Sequence, residues 1–369
     1  MKKFLVSLLS LSLLLASCNL RSPTIPASPI NPSSNILNTP AWDDRSIFKG
    51  GLVASQQHVL NELNGASIYH LTFNIADDLY HVTGTEEVRY TNNEAIALDE
   101  VQFRLFPNIL GGEMQITNLQ VDGQLVAPEY GLENSLMIVR LPKILEPGQS
   151  VILHMDFSVT VPESVELNYG VLAYFDDVLA LAHAYPMICV YDDEGWNAEI
   201  PSQSGDLTYA DASFYVVHVT APQGLTLVTS GHKVSSDEAG QLQTLVVASG
   251  PARDFFLAAS PNLEEVAQTF GEVTIRSYAP KDLMAGAQFA IDVASKAIDV
   301  YGKRYTPYPY SELNIVSTPT LALGIEYPGA VAIANRIYHV DGEYRGSPAS
   351  IYLESTVAHE VGHQWFYNL

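Results

Sequence analysis

VILHMDFSVTV, from Val151 to Val161, places Val151, Leu153, Met155, Phe157, Val159 and Val161 at every second position, with mostly polar residues between them. Side chains of an extended strand point alternately to its two faces, so this pattern predicts a strand with one face on a core. VQFRLF (Val101 to Phe106) and SFYVVHV (Ser213 to Val219) repeat it. Turn pairs fall between such runs at Asp122-Gly123, Pro147-Gly148, Gly205-Asp206 and Gly231-His232. From Ser67 to about Ala259 the chain therefore predicts an all-β domain of many antiparallel strands, without an internal repeat.

After Pro280 the period lengthens. Ala287, Ile291, Ala294, Ile298 and Tyr301 line one stripe of a helix, and Gly302 follows as a stop. LNIVST (Leu313 to Thr318) then reads as a strand. A second helix should start near Ser347, as N-cap, with Pro348 in the first helical position. Ahead of the β region, Ile47, Val53, Val59, Leu60 and Leu63 suggest a short helix between Ser46 and Asn64, weakened by Gly50 and Gly51. A chain of 369 residues has room for two cores, here assigned to residues 46–265 and 266–369.

The first 17 residues read as a targeting segment. Lys2 and Lys3 precede an apolar run from Phe4 to Leu15, too short to span a bilayer comfortably, and LASC ends at Cys18. This resembles a bacterial lipoprotein signal, which implies cleavage before Cys18, lipid attachment to its thiol and a place in the cell envelope, facing outside the cytoplasm. An ordinary secretory signal is the alternative, and either one takes the chain out of the cytoplasm. Residues 18–45 then form a tether, in which Pro23, Pro26, Pro29, Pro32 and Pro40 favour extended backbone. With Cys18 lipidated, Cys189 is the remaining thiol; it sits in the apolar run PMICVY and reads as a buried small hydrophobe. A formal charge of −23 argues against a nucleic-acid partner.

The chemistry lies at the other end, in HEVGHQWFYNL. Residues four apart on a helix project in nearly the same direction, so His359 and His363 can reach one metal ion, while Glu360 stands about 100° around. Zinc takes imidazole ligands, and a non-ligating glutamate beside it suits a general base acting on water. Ile351, Ala358 and Trp365 fall on one side of such a helix, for burial, and Gly362 hints at close packing. Upstream, GIEYPG (Gly324 to Gly329) follows a strand. By itself its Glu326 reads as a solvated turn carboxylate.

VAHEVGHQWFYN, with GIEYPG about thirty residues before it and YTPYPYSELNIV before that, resembles the zinc aminopeptidases of the aminopeptidase N and leukotriene hydrolase type, which are gluzincin metallopeptidases. YPMICVYDDEGWN (Tyr185 to Asn197) and GDLTYADASFYVVHVTAP (Gly205 to Pro222) resemble that family's N-terminal β-saddle domain. The resemblance implies a multidomain fold: an all-β, saddle-like antiparallel domain, then the first part of a thermolysin-like α/β catalytic domain. It implies His359 and His363 as zinc ligands, Glu360 as catalytic base, and Glu326 as the carboxylate that binds the substrate's α-ammonium. Peptides are the implied substrates. GIEYPG departs from the family's Gly-Ala-Met-Glu-Asn at Leu323, Gly324, Ile325 and Tyr327. The family also uses a residue of the β domain in amine recognition; Asp177 lies in that region without a motif match.

In the same family a third zinc ligand, a glutamate about eighteen residues past the second histidine, and a more distant oxyanion-stabilising tyrosine complete the site. The matching positions fall beyond Leu369. The expectation is thus a membrane-anchored zinc aminopeptidase whose present chain is cut at the zinc helix, lacks the third ligand and is inactive alone. Nothing in the sequence favours Asp192, Asp193 or Glu194 as a replacement ligand. The rival expectation is a non-catalytic lipoprotein whose β domain binds a peptide or protein partner.

Overall fold

The computed structural model describes residues 41–201 and 207–366. Cys18, most of the tether and the Gly205-Asp206 pair lie outside the described residues. Among the described residues no helix is long and apolar enough to cross a membrane.

An eight-stranded sheet organises the β region. Its spatial order is His232–Ala239, Leu242–Ala252, Ser213–Pro222, Ile68–Ile75, His81–Thr91, Ser150–Thr160, Glu113–Val121 and Gln124–Leu125. The strand at Ser150–Thr160 buries Val151, Leu153, Met155, Phe157 and Val159 and turns Ser158 and Thr160 outward, as its alternation requires. Leu98–Arg104 and Leu136–Leu145 pair in one four-stranded sheet, and Val178–Ala182 and Phe256–Ser260 in another. The three sheets share one apolar core.

Pairing is antiparallel throughout the large sheet except at its centre. Ile68–Ile75 runs parallel to Ser213–Pro222, with Ile68 opposite Phe214. A parallel pair needs a long crossover connection, and the intervening strands of the β region supply one. Local periodicity carries no information about such a distant pairing.

The second region holds a five-stranded sheet in the order Leu263–Phe270, Val273–Pro280, Glu312–Thr318, Ala330–Ala334 and Gly324–Tyr327. Its three inner strands are parallel and both outer ones antiparallel. Helix α1, Met284–Arg304, lays Ala287, Ile291, Ala294 and Ile298 into a second core, the predicted stripe. It runs two residues past Gly302, which adopts helical geometry instead of ending the helix. Lys303 and Arg304 form the last turn, where cations complement the helix dipole.

The segment expected as a short helix is two 3-10 segments, Ser46–Gly51 and Ala54–Asn61. Leu52 and Val53 between them bridge to Tyr310 and Pro309. Phe48, Leu52, Val53 and Leu60 belong to the second core. Pairing with the 309–311 segment extends the backbone at Leu52 and so interrupts a continuous helix.

Candidate metal and substrate site

Helix α2, Ala349–Gly362, carries the two histidines. It starts at Ala349 instead of being capped by Ser347, because Ser347 and Pro348 pair with Glu343 and Tyr344 in a two-residue ladder. Its buried side is also rotated from the expected one. Leu353, Val357, Glu360 and Val361 are buried, whereas Ile351 is 58% exposed. The core contacts α2 through the stripe that brings Glu360 inward, which leaves Ile351 on the far side.

His363 sits at the helix's C-cap with near-helical backbone, φ −63° and ψ −17°, so the one-turn relation to His359 survives. The two Nε2 atoms lie 3.2 Å apart. Two ligands on one tetrahedral zinc at bond lengths of about 2.0–2.1 Å stand roughly 3.4 Å apart, so the pair has the bite for a shared ion.

The other groups come from the strand at Gly324–Tyr327, paired antiparallel with Ala330–Ala334. Glu326 is not a solvated turn carboxylate: its side chain is 8% exposed and its Oε1 lies 3.4 Å from Nδ1 of His363. Donor atoms of Glu326, Glu360 and His363 all fall within 4.8 Å of one another. Glu360 is packed against Gly324, where a Cβ would stand 2.4 Å from its Oε1 and 2.6 Å from its Cγ. Asp192 accepts hydrogen bonds from the backbone of Glu194 and the amide of Asn197, in a separate hairpin. Asp177 is likewise outside that cluster, held in a turn by Asn262 and Tyr174.

Two residues that the sequence did not single out hold this arrangement. Gln364 is fully buried; its Oε1 accepts from Gly329 N at 2.9 Å and its Nε2 donates to Tyr327 O at 3.0 Å. The end of the histidine helix is thereby pinned to both sides of the turn that follows Glu326. Arg336 donates to the carbonyls of Thr320, Leu321 (2.7 Å) and Ala322 (2.8 Å), fixing the loop that leads into the Glu326 strand. Trp365 adds a bond from Nε1 to Thr306 O at 2.7 Å.

A cavity of about 940 Å³ opens beside Glu326. Gly324, Ile325 and Glu326 line one side, and β-region residues including Leu110, Leu167 and His183 line the other. Cys189 takes no part: it is buried, and burial pushes its thiol up to about 12, which keeps it protonated and unreactive.

The glycines divide differently from expectation. A Cβ on Gly362 would lie 3.7 Å from the Tyr301 ring, an ordinary contact, so close packing does not require glycine there. Gly362→Ala is expected to stabilise the chain by up to about 1 kcal/mol. Gly324→Ala must move the Glu360 side chain and is expected to cost about 1–3 kcal/mol. Urea denaturation of the two variants against the parent checks both signs.

Two histidines one helical turn apart, with a buried glutamate between them and a second carboxylate from a neighbouring strand that lines a cavity, are the side chains that a metallopeptidase-type centre uses, although His359 itself is exposed and stands outside the cluster of Glu326, Glu360 and His363. Residues 289–369 match the Peptidase family M1 domain. Aminopeptidase M1-B of Oryza sativa subsp. japonica is 34% identical over 97 residues, 26% of this chain and 11% of that protein. Aminopeptidase N of Lactococcus lactis is 30% identical over 105 residues, 28% and 12% of the two chains. Puromycin-sensitive aminopeptidase of Caenorhabditis elegans is 23% identical over 266 residues, 64% of this chain and 28% of that one. The chain is thus similar to these aminopeptidases, and its matches span 11% to 28% of their lengths.

Proposed function

We propose that the chain carries the amine-binding and proton-transfer groups of a zinc aminopeptidase that hydrolyses the first peptide bond of peptides outside the cytoplasm, anchored to a membrane surface through a lipid on Cys18. We read the β region as the family's saddle domain and the second region as belonging to its thermolysin-like catalytic domain. The observation that carries this reading is the placement of Glu326, which lines the cavity, beside His363.

His359 and His363 would hold the zinc, which when bound polarises the scissile carbonyl and acidifies a water. Glu326 binds the α-ammonium of the substrate, and this ion pair sets the first peptide bond opposite the histidines. Glu360, pressed between Gly324 and the helix core, takes the proton of the attacking water and passes it to the leaving amine.

Catalytic zinc typically has three protein ligands, and two imidazoles hold it weakly. Glu326 is committed in this reading to the substrate amine and Glu360 to the water. With His359 and His363 as the ligands, the chain is expected to lose zinc on dialysis and to release no 4-nitroaniline from aminoacyl anilides. Zinc at one equivalent after dialysis, with hydrolysis abolished by Glu360→Gln, would overturn the two-ligand account and leave the aminopeptidase reading in place. Equal binding of free and N-acetylated peptides would overturn the aminopeptidase reading itself.

A further inference from the structure

The cavity wall supplied by the β region carries a polar group with no role in the chemistry above. His183 is 4% exposed and lines the cavity. Its backbone is left-handed, with φ 55°, a conformation uncommon for residues other than glycine and one the surroundings must hold. Nδ1 lies 2.6 Å from Oδ2 of Asp254, a close contact although the N–H does not point straight at the oxygen. Asp254 is itself buried, and its Oδ1 accepts from the Tyr185 hydroxyl at 2.9 Å and from Phe255 N at 2.6 Å.

Nδ1 of His183 faces this committed carboxylate, and Nε2 is the ring's remaining polar atom. Three other polar side chains of the cavity wall are engaged with backbone carbonyls. Asn168 donates to Leu110 O and Leu172 O, Asn108 to Asn134 O, and Arg253 to Ala210 O. The ring stands 5.2 Å from that of Phe106 and 6.5 Å from that of Tyr327, which stacks on Phe256 at 4.1 Å. Tyr327 adjoins Glu326 in the chain, so the imidazole is about one side-chain length from the carboxylate strand. Leu110, Leu167, Val171 and Ile325 supply apolar wall around them.

A carboxylate for an ammonium, an apolar and aromatic sleeve, and an imidazole set against a buried aspartate together describe one kind of ligand. We propose that His183 is a specificity-determining residue that recognises the side chain of the substrate's first residue, and that the class it selects is aromatic with a donor at its tip, as in an N-terminal tyrosine. This rests on the aminopeptidase reading for the position of the amine. A phenol donates its proton to Nε2, whereas phenylalanine fills the same sleeve and leaves the acceptor unpaired, a difference that buried polar sites discriminate strongly.

Isothermal titration of the full chain with tyrosinamide and phenylalaninamide tests it. The parent is expected to bind tyrosinamide about tenfold more tightly. His183→Phe should abolish that ratio while keeping phenylalaninamide affinity, and His183→Gln, which keeps an acceptor, should restore part of it. A parent ratio near one, or a ratio unchanged in His183→Phe, overturns the proposal; because the parent ratio needs no variant, misfolding of a mutant leaves the test intact. Glu326→Gln separates the two readings: it should weaken both amides and keep their ratio. If it weakens neither, the amine site fails, whatever the ratio says about His183.

Discussion

Glu326→Gln will weaken binding of a peptide with a free α-ammonium by about 2–4 kcal/mol, roughly 30- to 1,000-fold, and will leave an N-acetylated peptide of the same sequence unaffected. The size follows from burial. A carboxylate whose side chain is 8% exposed meets the ammonium at a largely buried cavity wall, where the loss of one charge leaves the other less well solvated than in bulk water. Gln keeps the shape and a carbonyl oxygen, so the change tests charge without opening a hole. Its specificity follows from chemistry, since acetylation removes the charge that Glu326 would bind. Titration of the free and acetylated peptides against both proteins gives a double-mutant cycle, and a coupling near zero would show that the carboxylate serves something other than the amine. His363 is the control: its Nδ1 is 3.4 Å from the same carboxylate, so a general loss of structure at the helix end would lower both affinities together.

The residues proposed to perform the chemistry were legible in the sequence because their types and spacings are dictated by it. His359, Glu360 and His363 have the spacing that a metal ion and a base would demand, and α2 with its C-cap carries all three. Glu326 was legible through its motif and not by itself, since a turn glutamate looks solvated until its strand is paired and covered. The strand alternation at Ser150–Thr160 and the α1 stripe were legible because burial repeats with the backbone's own period. What the sequence hid is long-range. The buried side of α2 depends on where α1 and the sheet lie, so Leu353 and Val357 went inside and Ile351 outside. Gly362 and Gly324 look alike in one dimension, yet only Gly324 faces a side chain that a methyl group would strike. His183 gave no signal, because the aspartate that orients it lies 71 positions away in the chain.

Gln364 belongs to this hidden set, and its replacement should have the largest effect on stability at the site. Gln364→Leu keeps most of the volume and removes both polar atoms, leaving Gly329 N–H and Tyr327 C=O buried without the partners they have now. Each unpaired backbone group costs about 1–3 kcal/mol, and some relaxation is available at a helix end, so a loss of about 2–4 kcal/mol is expected. For a chain of this size that is a fall in Tm of about 3–6 °C. The same substitution also unpins the histidine helix from the turn after Glu326. Amine discrimination should therefore drop together with stability, even though Gln364 has no place in the proton transfers. Thermal melting and the free-versus-acetylated titration on one preparation read both quantities. A variant that melts with the parent, or that loses stability while keeping full discrimination, would mean that His363 and Glu326 are held together by the surrounding core and not by this clamp.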